Sequence, residues 1–152
     1  LYTGTLGMIA DDQHGFSAVL RSAKHLLERD LVPRTSPTCR APFCGPGCGL
    51  AATRFTRLLP LAGLDPDFNR VRFVGIVAED HIDGLLRFRD GPQTGIAFAI
   101  VSVADDWLML DRPLVPGTLP GTLAELREGC DHTVATGAAR FGNAHNFRGE
   151  PF

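Results

Sequence analysis

The sequence predicts a strand-dominated α+β fold, and three observations lead there. Residues Ile96 to Val103 form an eight-residue run without a charge, the strongest strand signal in the chain. Asp105-Asp106 follows as a turn, and Trp107 to Leu110 then reads as the return strand of a hairpin. Against these strands stands one segment of helical spacing, in which Phe16, Val19, Leu20, Ala23, Leu26, Leu27 and Leu31 fall on one face. The 152 residues suit a single globular domain, which at this size buries roughly 68–70% of its unfolded surface and needs no staple to hold a core. The alternative architecture is a β-barrel with one short helix.

Taken in order, residues 3–10 read as a strand with close-packed glycines, and Asp11 to Gly15 as a turn. The helix is expected over 16–31, with Ser17 placed to cap it and an end near Asp30, ahead of Pro33. Residues 33–49 hold four prolines, three cysteines and three glycines, which excludes regular structure. Residues 50–61 fit a helix or a strand equally, and Leu64 to Asp67 is a turn. Val71 to Ala78 is β-branched and aromatic and reads as a buried strand, with Leu85 to Phe88 as another. Residues 113–121 form a loop, 122–127 a short helix, and 132–136 a last strand.

The composition, 44% hydrophobic and 21% charged, is that of a globular chain and not of a disordered one. The net charge of −2 comes without any clustered Lys/Arg block, so nucleic acid is not expected as a partner. No apolar run approaches the ~18 residues of a membrane span, and no basic segment followed by an apolar stretch marks a signal peptide. The chain is therefore expected to be soluble, with no compartment assigned. It starts at Leu1 and stops at Phe152, and is read as one domain or as a fragment of a longer chain.

The most specific local feature is Cys39-x4-Cys44-x3-Cys48 in the Pro/Gly loop, with Cys130 as a fourth cysteine. Turn-rich loops let several sulfurs converge, so Cys39, Cys44 and Cys48 are candidate zinc ligands, with Cys130 or a histidine closing the site. An even cysteine count also permits disulfides, and unpaired thiols are the third reading. His81 lies among carboxylates in Glu79-Asp80-His81-Ile82-Asp83, a grouping suited to a divalent metal or an acid–base pair, or to a simple polar turn. His132 sits two positions from Cys130. Neither Gly45 to Gly49 nor Gly4-x-x-Gly7 completes a phosphate or dinucleotide loop.

One further pattern concerns catalysis. Ser22-Ala23-Lys24-His25-Leu26-Leu27 follows the apolar Ala18-Val19-Leu20 and the glycine-bearing segment 4–7. This resembles the first barrel of trypsin-like serine peptidases, and Leu50 to Leu61 with Asn69-Arg70-Val71 is similar to a stretch of some bacterial members. The resemblance implies an all-β trypsin-like barrel with a short helix, and places His25 as general base. No Gly-Asp-Ser-Gly occurs and no serine follows Ser102, which leaves Cys130 as the substitute nucleophile or the domain degenerate or truncated.

Three functions follow. The first is a peptidase-related hydrolase acting on a peptide substrate through His25. The second is a structural component of a virion or other multi-subunit particle, bound to protein partners and compatible with oligomerisation. The third is a small binding module whose Cys loop is stapled by zinc or disulfide.

Overall fold

The computed structural model describes residues 4–12, 15–22, 24–25, 34–67 and 69–151. The chain divides into two compact units, Leu1–Thr35 and Ser36–Phe152, each of which is described by itself.

The smaller unit is an antiparallel hairpin of β1 (Gly4–Asp12) and β2 (Gly15–Ser22). The predicted helix over 16–31 is thus corrected at its first half, where Phe16 to Ser22 is strand; residues 26–31 lie outside the described residues. Phe16, Ala18 and Leu20 also satisfy a period of two, and pairing with β1 decides between the two periods.

Among the described residues, the larger unit holds seven strands: β3 (Thr56–Pro60), β4 (Gly63–Asp65), β5 (Arg70–Arg72), β6 (Leu85–Phe88), β7 (Ala97–Ala104), β8 (Trp107–Leu110) and β9 (Leu123–Arg127). Their spatial order is β3-β9-β6-β7-β8-β5-β4, antiparallel throughout. The two ends of that order, β3 and β4, are separated in the chain only by Leu61 and Ala62. Residues 56–65 therefore act as one bent strand that serves both edges. At the bend, the Leu61 amide donates to Thr122 O (2.8 Å) and the Ala62 amide to Arg72 O (2.9 Å). The sheet curls onto itself, which removes the exposed edges that invite mispairing.

Alternation fills the barrel. Every second residue of β6, β8 and β9 points inward, and Leu61, Val71, Leu86, Phe88, Leu108 and Leu126 are at most 2% exposed. The Phe88 and Phe98 rings meet edge to face, with centroids 5.6 Å apart. A 3₁₀ turn, Ala78–His81, packs against β7 and β8 and buries both of its end residues.

The α+β expectation is thus corrected to mostly β, and the strand domination stands. The one α-helix among the described residues is α1, Val134–Ala139, where a strand was expected at 132–136. Thr133 caps it, its hydroxyl accepting from the Thr136 amide at 3.2 Å. The expected helix at 122–127 is β9 instead, because pairing with β3 on one side and β6 on the other outweighs the helix propensity of Leu-Ala-Glu-Leu-Arg. The strand expected over 71–78 covers only Arg70–Arg72. No helix among the described residues is long and apolar enough to cross a membrane.

The end of β9 passes very close to the 3₁₀ turn. A Cβ placed on Gly129 would overlap the carbonyl of Ile82, and one on Gly84 would overlap that of Arg127. Gly129→Ala is expected to cost roughly 1–3 kcal/mol, at the upper end of overpacking effects because the obstacle is backbone. A denaturant midpoint equal to wild type would contradict this packing.

Candidate functional site

Two features of the molecule are not explained by the barrel itself. The first is the cysteine lobe, built from the chain before β3 and the chain after β9. Residues 36–40 run beside 148–150: the Glu150 amide donates to Ser36 O (2.7 Å) and the Arg40 amide to Arg148 O (3.3 Å). Arg40 clamps the Glu150 carboxylate with two bonds, of 2.8 and 3.2 Å. Phe43, Phe55 and Phe141 cluster beneath, with centroids 4.8–5.5 Å apart.

Cys39, Cys48, Cys130 and His132 line one small cavity of about 30 Å³ in this lobe. Cys44 sits on the same loop at φ +57°, a left-handed turn conformation. All four thiols are unpaired. Three sulfurs have an N–H aimed at them. The Arg148 amide lies 3.4 Å from Cys39 Sγ, Asn143 Nδ2 lies 3.7 Å from Cys48 Sγ, and the His132 amide donates to Cys130. Burial pushes Cys44 and Cys130 up from the usual thiol range, with neighbouring cysteines adding to the rise, and the bond from the His132 amide works the other way at Cys130. As they stand, no three His, Cys, Asp or Glu groups among the described residues surround one point at ligating distance.

The loop's turns have a local cause. Gly49 sits at φ +77°, and a Cβ there would come 2.7 Å from Asn146 Nδ2. Asn146 in turn bonds Asn143 Oδ1 at 2.8 Å, and Asn143 Nδ2 donates to Cys48 O at 2.7 Å. The two asparagines are functional candidates that composition alone does not reveal, since their role depends on a loop ninety-five residues away.

The second feature is the hairpin's apolar face. Leu6 pairs with Leu20 and Ile9 with Ala18, and Phe16 stands two residues before Ala18, so these residues share one side of the sheet. Strand alternation would set Leu6 and Ile9, three apart, on opposite sides. A bulge between them adds the residue that returns Ile9 to the Leu6 face. Leu6, Ile9, Phe16 and Leu20 are 60–77% exposed. The opposite side carries Thr5, Ser17 and Arg21 together with Val19, itself 49% exposed.

The remaining sequence candidates fall as follows. His25 lies just after β2, its Nε2 2.7 Å from Arg21 Nη1. It belongs to the smaller unit, and Cys130 to the larger. His81 is buried, with Nδ1 3.0 Å from Val77 O, and its carboxylate neighbours form a turn around it.

Comparisons with known proteins bear on both features. Residues 1–51 match a family model described as baseplate hub protein, N-terminal attachment domain. Residues 81–152 match one described as phage conserved hypothetical protein BR0599. No curated protein matches the sequence. Among solved structures, a chain from the virion of a native gene transfer agent particle superposes over 99% of this chain with a TM-score of 0.78 and 24% identity. This chain covers 55% of that one, about half its length.

These findings overturn the trypsin-like reading and, with it, the peptidase function and the hydrolase description built on His25. The strand-then-histidine pattern at 18–25 belongs to a two-stranded hairpin and its exit turn, not to a peptidase barrel.

Proposed function

We propose that this chain is a structural component of a phage-like particle, built into its baseplate or tail and held there by protein partners. The observation that carries the reading is the superposition of nearly the whole chain on a virion protein. The family matches at both ends support it, since one is named for baseplate attachment and the other for phage. In this role β1 and β2 are the attachment element: the apolar face of Leu6, Ile9, Phe16 and Leu20 docks against a neighbouring subunit. A two-stranded hairpin alone is marginally stable, so a partner surface would complete it. The test is to purify particles from the producing strain by density sedimentation and quantify peptides of this chain. Peptides at a fixed ratio to the capsid protein support the reading. Their confinement to the soluble fraction would sink it.

A second reading concerns how the lobe is held, and it is compatible with the first. Cys39, Cys44, Cys48 and Cys130 are proposed to hold a metal that staples the chain before the barrel to the chain after it. Cys39, Cys48 and Cys130 line one small cavity, which favours this, while Cys44 lies outside that lining and would have to turn in. The sulfurs would have to draw together on binding, and the raised thiols would release protons, so affinity should fall with acid. Four thiolates suit zinc or an iron–sulfur cluster; the small cavity favours a single zinc. Metal analysis of the purified chain is expected to give one zinc per chain, lost in Cys130→Ser. Chelation should remove about 3 kcal/mol of stability where free metal stands about 100-fold above Kd. Visible absorption from sulfur-to-iron charge transfer would instead identify a cluster. A metal-free chain with unchanged unfolding after chelation would refute the staple.

A further inference from the structure

Besides the lobe and the hairpin, the barrel holds, among the described residues, one buried titratable group with no role in either. His81 is 4% exposed. Its Nδ1 bonds Val77 O at 3.0 Å, which assigns the ring proton to that nitrogen. Its Nε2 is buried without a hydrogen-bond partner. A neutral ring tolerates this, because Nε2 is then only an unused acceptor. A protonated ring does not, because a buried N–H would face no acceptor.

The turn that carries His81 also holds the chain beyond β9. Asp80 O accepts from the Gly129 amide at 2.9 Å and from Arg140 Nη2 at 2.8 Å. Arg140 reaches Asp80 Oδ1 at 3.3 Å and Glu128 Oε2 at 2.6 Å, so the turn, the strap 128–131 and the end of α1 share one node. The contact of Gly129 with Ile82 O leaves no slack in this arrangement. The turn cannot swing outward to hydrate His81 without pulling Asp80 away from Gly129 and Arg140.

We infer that His81 is an acid-sensitive latch: protonation of its ring opens the turn 78–81 and releases the strap 128–131 from the barrel. The charged groups that act on the ring are Asp80 on its own turn, Glu128 after β9 and Arg140 after α1. Strands β7 and β8 also pack against the turn, and their inward residues Phe98, Ile100, Leu108 and Leu110 are apolar. Burial is the largest influence and lowers the ring's proton affinity, outweighing the bond to the Val77 carbonyl and the pull of the two carboxylates. The open state, with a hydrated ring, therefore binds the proton more tightly than the closed state. Closure is at full strength above about pH 6.5 and is lost progressively as pH falls below it.

Hydrogen exchange of the whole chain tests the latch. After correction for intrinsic exchange, the opening constant of the Gly129 amide should rise about tenfold per pH unit below about pH 6.5. In His81→Gln, whose amide can still bond Val77 O, that slope should vanish while the other histidines remain. A flat wild-type profile, or the same slope in the variant, would overturn the inference. Should the variant fail to fold, the wild-type ring is titrated by NMR instead: a midpoint below the usual imidazole value supports the latch, and one at or above it refutes it.

Discussion

Phe16→Asp combined with Leu20→Asp is expected to abolish incorporation of the chain into particles while leaving the barrel's unfolding transition unchanged. Both side chains lie on the face that also carries Leu6 and Ile9, and both are at least 60% exposed. An exposed apolar residue contributes little to its own fold, so the barrel has no reason to register the change. A carboxylate driven into an apolar interface is a different matter, since it must be desolvated without a partner. Two anchors at about 2 kcal/mol each would weaken docking by roughly a thousandfold. The measurement is the yield of this chain in sedimented particles against wild type, beside a thermal melt of the free protein. Undiminished incorporation would place the contact elsewhere and leave the hairpin without a role.

Phe88→Ala is expected to have the opposite profile, with a large loss of stability. Phe88 is fully buried, pairs edge to face with Phe98, and sits on the strand bonded to both β7 and β9. Truncation removes the ring and leaves a cavity that neighbouring strands cannot close, at a cost of about 3–5 kcal/mol. Equilibrium denaturation would show this as a lower midpoint with an unchanged slope. A loss under 1 kcal/mol would mean that the barrel interior is not packed as described.

These two residues also mark what the sequence makes legible and what it hides. Around Phe88 the signals are local. The expected strand Leu85 to Phe88 is β6, and the charge-free run and its hairpin partner are β7 and β8. Around Phe16 the local signal misleads. Phe16, Val19, Leu20 and Ala23 satisfy helical spacing, while Phe16, Ala18 and Leu20 satisfy a strand, and only pairing with β1 separates them. Leu123 to Arg127 fails the same way: its residues are good helix formers, yet Ala124 and Leu126 are both fully buried, two positions apart, between neighbouring strands. The small helix at Val134–Ala139 was within reach, because Thr133 stands where an N-cap belongs.

A β-barrel with one short helix was the alternative the sequence offered, and the mostly-β curled sheet is consistent with it; how the sheet closes was not legible. Closure depends on Leu61 and Ala62 bending one strand between partners that lie some ten and sixty residues away in the chain. The convergence of Cys39, Cys48 and Cys130 is of the same kind. The sequence offers the cysteines, and the pairing of residues 36–40 with 148–150 brings them to one cavity. The trypsin-like resemblance failed because it rested on short local patterns, and those patterns do not carry long-range order.

The measurement that bears most directly on the central claim is a cryo-electron microscopy reconstruction of the particle made by the producing strain. A virion component predicts density for the curled barrel within the tail or baseplate, with the hairpin face of Leu6, Ile9, Phe16 and Leu20 covered by a neighbouring subunit. Complete, fully assigned tail density with no place for this barrel would contradict the account.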